Sequence, residues 1–210
     1  MLERAGAHPC IARFVGASHV PGRFMILTEL VPLGCVGDLL ATASYALGVR
    51  FALDLARALA HLHALPLIFR DVKSDNLLAV SLAVDAPVNC KLIDFGIART
   101  VRSAHKPRRY TTRIGSIPYM APELIDDQPY SAPVDMYAAG IVMAELAMRE
   151  RAWHDANAWQ LPGQVMHGAR PALPPTTPPA FAQLIRACWD ADPAARPTGT
   201  QLVTALEALA

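Results

Sequence analysis

The chain has 210 residues, 19 Lys and Arg against 18 Asp and Glu, and 53% apolar residues. That length and balance support one good-sized buried core, and they exclude a disordered chain or a polyanion-binding tail. Four cysteines, at 10, 35, 90 and 188, form no C-x-x-C pair, which argues for reduced thiols in a cytosolic setting rather than a disulfide framework or a zinc site.

The opening residues, MLERAGAHPC, lack the basic-then-apolar profile of a signal peptide. CIARFVGASH and RFMILTEL are short β-rich runs separated by a Pro-Gly turn, so a hairpin is expected at about 10–17 and 23–30. GDLLATA then begins one amphipathic turn. VRFALDLARALAHLHAL carries apolar residues at helical spacing until Pro66 ends the helix. LIFRDV and NLLAVSL flank a charged stretch, and NCKLIDFG is a further strand running into a loop. Residues 97–118 are irregular and basic. Residues 134–148 are helical, and the apolar run from Met136 to Met148 contains Glu145 and is 13 residues long. That is too short to span a bilayer and fits a buried core helix. Five prolines between Pro171 and Pro179 make an extended connector. AFAQLIRACW and TGTQLVTALEALA close the chain as helices, the second capped by Thr198. His61 and His63, two apart on a helix, face different sides and read as helix surface or core rather than as a metal pair.

The chemistry gathers in IFRDVKSDNLL. A loop can aim Asp71, Lys73 and Asn76 at one point, whereas a strand would alternate them between faces. Asp71 could accept a proton from a hydroxyl, Lys73 could neutralise a moving phosphoryl group, and Asn76 offers a neutral oxygen to Mg²⁺. Alone, the cluster also reads as a solvated turn with local ion pairs. Asp94, at the end of a strand and followed by Phe95 and Gly96, adds the hard anionic ligand a Mg²⁺-bound triphosphate needs.

With FRDVKSDN, DFG and APE in that order, the chain resembles a eukaryotic protein kinase domain. HPCIARFVGAS, ILTEL, GSIPYMAPE, SAPVDMYAAGIVMAEL and CWDADPAARP extend the resemblance over essentially the whole length, in the style of the tyrosine-kinase-like branch. The fold it implies is α+β: a mostly helical C-terminal lobe at 34–210, and a small β remnant of the N-terminal lobe with the hinge at 1–33. The implied reaction is transfer of the ATP γ-phosphoryl to a protein hydroxyl, with Mg²⁺ as cofactor. The implied partners are a protein substrate and ATP, with no nucleic acid and no membrane, in the cytoplasm. By resemblance Asp71 is the base, Lys73 steadies the phosphoryl group, and Asn76 and Asp94 hold the metal. Thr28 is a small gatekeeper, Glu29 and Val31 offer backbone groups to the adenine edge, and Leu78 floors it. Lys73 and Ser116 match the serine/threonine pattern. Glu123 and Arg196 are expected as a buried ion pair, Asp135 as an anchor for the catalytic-loop backbone, and Trp189 as core. The basic segment 99–113 matches an activation loop, with Thr111 or Thr112 as the phosphorylated residue and Arg70 as its holder.

Two departures stand out. Phe69 replaces the usual histidine and should stack with Phe95 and Phe14 in an apolar column. No G-x-G-x-x-G occurs, and the third-strand lysine and its glutamate partner are not found before His8-Pro9. The resemblance therefore implies a chain lacking most of the N-terminal lobe. The two strands left are expected to be marginal and to expose apolar surface, and the 210 residues alone should transfer little phosphate. A catalytically inactive pseudokinase or docking module is the alternative reading. A small-molecule phosphotransferase fits less well, because GSIPYMAPE and the Arg196 block build a protein-substrate groove.

Overall fold

The computed structural model describes residues 5–20, 23–96, 98–100 and 116–210. Strands β1 (Phe14–Val20) and β2 (Arg23–Thr28) pair antiparallel in the register Gly16↔Leu27, Ala17↔Ile26 and Ser18↔Met25. The first strand starts later than its β-rich run because residues 10–12 are used elsewhere. Ile11 bridges to Leu92 in parallel, Leu92 N donates to Cys10 O at 2.9 Å, and Ala12 N donates to Leu92 O at 3.0 Å. Among the described residues, apolar side chains on the hairpin stay in water, as expected of a two-stranded ribbon. Val15, Met25, Ile26 and Leu27 are each more than half exposed.

The remainder is helical with short two-stranded ladders. Helices α1 (Val36–Leu39) and α2 (Tyr45–Ala64) follow the hairpin. The second begins four residues ahead of its apolar period, because Ser44 Oγ accepts from Leu47 N and caps it. It ends at Ala64, with Leu65 as its C-cap and Pro66 next. Strand β3 (Leu67–Ile68) pairs with β6 (Arg99–Thr100), and β4 (Leu77–Ala79) pairs with β5 (Cys90–Leu92). A 3-10 turn, Ser74–Asn76, lies between β3 and β4.

Helices α3 (Pro122–Ile125), α4 (Pro133–Met148), α5 (Leu161–Met166), α6 (Pro179–Cys188) and α7 (Gly199–Glu207) complete the chain. Helix α4 is buried from Val134 to Leu146, which explains a sequence apolar on all sides. It packs against α2 and α6, and α7 also packs against α2. Thr198 closes a full capping box with Gln201, and Trp189 is buried, both as expected. The proline-rich stretch runs without regular structure into α6. Among the described residues no helix is long and apolar enough to cross a membrane.

Candidate active site

The loop after β3 is fixed from below by the first turn of α4. Asp135, fully buried, accepts from Phe69 N at 2.8 Å and Arg70 N at 2.7 Å. His63 Nε2 lies 2.9 Å from the same carboxylate. His61, two residues earlier, turns elsewhere: it meets Ala5 O at 2.6 Å and stacks on His8. Phe69 is buried and meets the Phe95 ring edge-on, with centroids 5.1 Å apart, the aromatic contact expected of that pair. Phe14, expected in the same column, is half-buried at the start of β1 and lies outside the core cluster.

The anchored loop presents its polar side chains together. Lys73 Nζ is 2.9 Å from Asp71 Oδ2 and donates to Ser116 Oγ at 3.2 Å, and Ser116 Oγ donates to Asp71 Oδ1 at 3.4 Å. Asn76 Nδ2 donates to Asp71 O at 2.8 Å and to Asp71 Oδ2 at 2.9 Å. With its nitrogen committed to Asp71, the Asn76 side chain has its oxygen left as acceptor. The β4–β5 register sets Leu77 opposite Leu92, and Ile93 N donates to Asn76 O at 2.9 Å, which brings Asn76 and Asp94 to the same end of that ladder. Asp94 holds φ 63°, a left-handed conformation that costs a non-glycine residue about 1 kcal/mol or more. Gly96 N donates to its Oδ1 at 3.1 Å. Such strain is retained where the surrounding structure demands a particular side-chain direction.

Of the residues expected around an adenine, Thr28, Glu29 and Val31 lie on the end of β2 and the chain leaving it, and Leu78 lies on β4. Thr28 ends β2, exposed. Glu29 accepts from Lys91 Nζ at 2.6 Å and from Arg13 N at 2.8 Å, and the hydrogen bond from Lys91 holds its carboxyl below the usual range. Val31 is buried. Leu78 bridges to Cys35 on one side and pairs with Lys91 on the other. Thr111 and Thr112 lie outside the described residues, while Arg70 Nη1 donates to Tyr130 Oη at 2.9 Å.

Glu123 and Arg196 form the expected pair, Nη1–Oε1 2.6 Å and Nη2–Oε2 2.9 Å. Three further polar groups escaped sequence reading. Asp54, buried in α2, accepts from Asn89 N at 2.6 Å and Cys90 N at 3.1 Å and so fixes β5. Glu145, buried in α4, accepts from Ser74 Oγ at 2.6 Å, Tyr119 Oη at 2.8 Å and Ala152 N at 3.0 Å. Arg151 clasps Asp75 with both terminal nitrogens at 2.7 Å. The signal for the first two was an acid inside an apolar helical face, because a buried carboxylate must have partners.

A family model described as a protein kinase domain matches residues 1–206. The chain belongs to the protein kinase family. Relatives that match it are named as serine/threonine-protein kinases. It is 34% identical over 205 residues to a probable LIM domain-containing serine/threonine-protein kinase of Dictyostelium discoideum, covering 95% of this chain and 30% of that protein. It is 32% identical to the probable serine/threonine-protein kinase drkC of the same organism, over 96% of this chain and 27% of that one. The probable serine/threonine-protein kinase SIS8 of Arabidopsis thaliana is likewise 32% identical, over 96% of this chain and 20% of its own. The kinase domain thus spans less than a third of the length of these relatives.

Proposed function

We propose that this kinase domain transfers the γ-phosphoryl group of ATP to a serine or threonine hydroxyl of a protein, as a member of the tyrosine-kinase-like branch. The observation that carries the reading is the triangle of Asp71, Lys73 and Ser116, in which one hydroxyl contacts both the carboxylate and the ammonium. A substrate hydroxyl brought to the same carboxylate would be oriented for in-line attack and would give up its proton to Asp71. Lys73 would offset negative charge on the transferring group. The Asn76 amide oxygen and the Asp94 carboxylate are hard oxygen donors at one end of the β4–β5 ladder and fit Mg²⁺, which would neutralise the triphosphate when bound. Thr28, Glu29, Val31 and Leu78 would border the adenine.

Residues 1–33 read as hinge and part of the ATP-clamping lobe, and 34–210 as the helical lobe. Three of the four cysteines are buried free thiols and the fourth is half-buried, which supports a reducing, cytoplasmic setting. The test is phosphoserine and phosphothreonine formation by the full-length protein with Mg²⁺ and ATP. Asp71→Asn should lower the rate at least ~10²-fold. Equal rates in both proteins would overturn the reading. One observation favours a docking role without catalysis: the hairpin leaves Ile26 and Leu27 in water. That role predicts no transfer in either protein.

A further inference from the structure

Beside the catalytic loop the described residues line an open groove of about 360 Å³ whose wall includes Lys73, Asp75, Ser116, Tyr119, Glu145 and Arg151. Lys73 and Ser116 both contact Asp71, so this wall adjoins the place where a substrate hydroxyl would be held. The wall carries two acids, and a bare pair of carboxylates would attract a basic side chain. Neither is bare. Arg151 Nη1 donates to Asp75 Oδ2 and Nη2 to Asp75 Oδ1, both at 2.7 Å, and Nη1 also donates to Ser74 Oγ at 2.8 Å. Both oxygens of Glu145 are taken by Ser74, Tyr119 and Ala152.

The guanidinium is seated, not merely near. It lies against Gly37 of α1, where a Cβ would come within 2.1 Å of Nη2 and push the end of the arginine side chain aside. Asp38 of the same helix stands 3.8 Å away. The hydrogen bonds from Arg151 hold the Asp75 carboxyl below the ordinary carboxylate range, as expected of a fork-to-fork pair. The cation is therefore a built part of the groove.

We propose that Arg151 is a specificity-determining residue that cancels the acidic wall of the substrate groove, so that the kinase gains nothing from a basic residue flanking the phosphorylated hydroxyl. The proposal rests on the kinase reading above. Removing the guanidinium uncovers the half-exposed Asp75 with Glu145 behind it, and the wall becomes net acidic. A substrate arginine would then make the bidentate contact that Arg151 makes now.

The test uses the full-length protein, Mg²⁺ and ATP, and a set of serine peptides in which each of the four positions on either side of the serine is in turn Arg or Gln. Wild type should show an Arg-to-Gln ratio of kcat/KM near one throughout. Arg151→Gln should raise that ratio about ten-fold at one position or more, a change typical of one charged contact. Arg151→Lys, which keeps the charge, should not. Adding Asp75→Asn to Arg151→Gln should return the ratio to wild type, and a general loss of folding would lower both peptides equally. Unchanged ratios in Arg151→Gln, or a wild type that already prefers arginine, would overturn the proposal. If wild type transfers no phosphate, the kinase reading fails instead. Fluorescence-anisotropy affinities of the same peptides then read the proposal separately, with the same ratios expected and the same result overturning it.

Discussion

Breaking the Glu123–Arg196 pair from either side should cost stability by different routes. Arg196 is fully buried and Glu123 is 8% exposed. The guanidinium also donates to Asp190 O at 2.9 Å and Pro133 O at 3.0 Å, and it lies 5.1 Å from the centre of the Tyr137 ring. Glu123→Ala leaves that cation in place with two carbonyls and a ring face but no counter-charge. A guanidinium does not lose its proton in a protein, so the cost cannot be escaped and should be about 3–5 kcal/mol. For a domain of this size that is roughly 6–20 °C in melting temperature. Arg196→Leu strands a carboxyl instead, and a carboxyl can neutralise itself by taking up a proton. Its cost should therefore shrink as the pH is lowered from 7 towards 5, by at most ~1.4 kcal/mol per unit.

Urea unfolding at several pH values, followed by tryptophan fluorescence, separates the two. The sign follows from proton counting: the folded Arg196→Leu protein would bind more protons than its unfolded chain in this window, so its stability must fall as pH rises. Glu123→Ala should show the same loss at pH 5 and pH 7. The double variant Glu123→Leu/Arg196→Met, which removes both charges, should be less destabilised than Glu123→Ala. A loss under about 1 kcal/mol for Glu123→Ala, the size expected of a surface pair, would refute the argument from burial.

Tyr137 offers a contrasting case. Among the described residues its buried hydroxyl has no hydrogen-bond partner, and burial pushes its pKa up to about 12. Tyr137→Phe should therefore be neutral or stabilising by up to ~1–2 kcal/mol, and a clear loss in melting temperature would reveal a partner for the hydroxyl. Gly140, where α4 crosses α6, has no room for a side chain: a Cβ would meet Cys188 Cβ at 2.8 Å and Trp189 N at 3.2 Å. Gly140→Ala should cost about 1–3 kcal/mol through overpacking despite alanine's better helix propensity, and a stabilised variant would count against that crossing. Burial pushes the Glu145 carboxyl above its ordinary 4.5. The folded state then holds this proton where the unfolded chain has lost it, so the group's contribution falls as pH rises from 4.5. Glu145→Gln should remove that slope, and parallel urea midpoints for both proteins from pH 4.5 to 7 would show the carboxyl is not the source.

What the sequence revealed and what it withheld divide along the reach of the interactions. Asp71, Lys73 and Asn76 lie within six residues, and their convergence needs little more than a loop whose backbone is held, so their grouping was legible from spacing. Helices α2, α4 and α7 announced themselves by period, apolar content and a capping threonine, all local properties. Ser44 as a cap and Ile11 as a bridge were missed because each depended on which backbone group nearby lacked a partner. Arg151 reaches Asp75 across 76 residues, and Asp54 reaches Asn89 across 35, so neither pairing has a local signature. Catalytic groups must converge on reacting atoms, and a short loop does that most rigidly when a buried carboxylate such as Asp135 anchors it from afar. Groups that tune the charge of the surrounding wall have no such need for sequence proximity. They come from whichever element the fold lays alongside, here the segment after α4, and only the packed structure discloses which acids they have already neutralised.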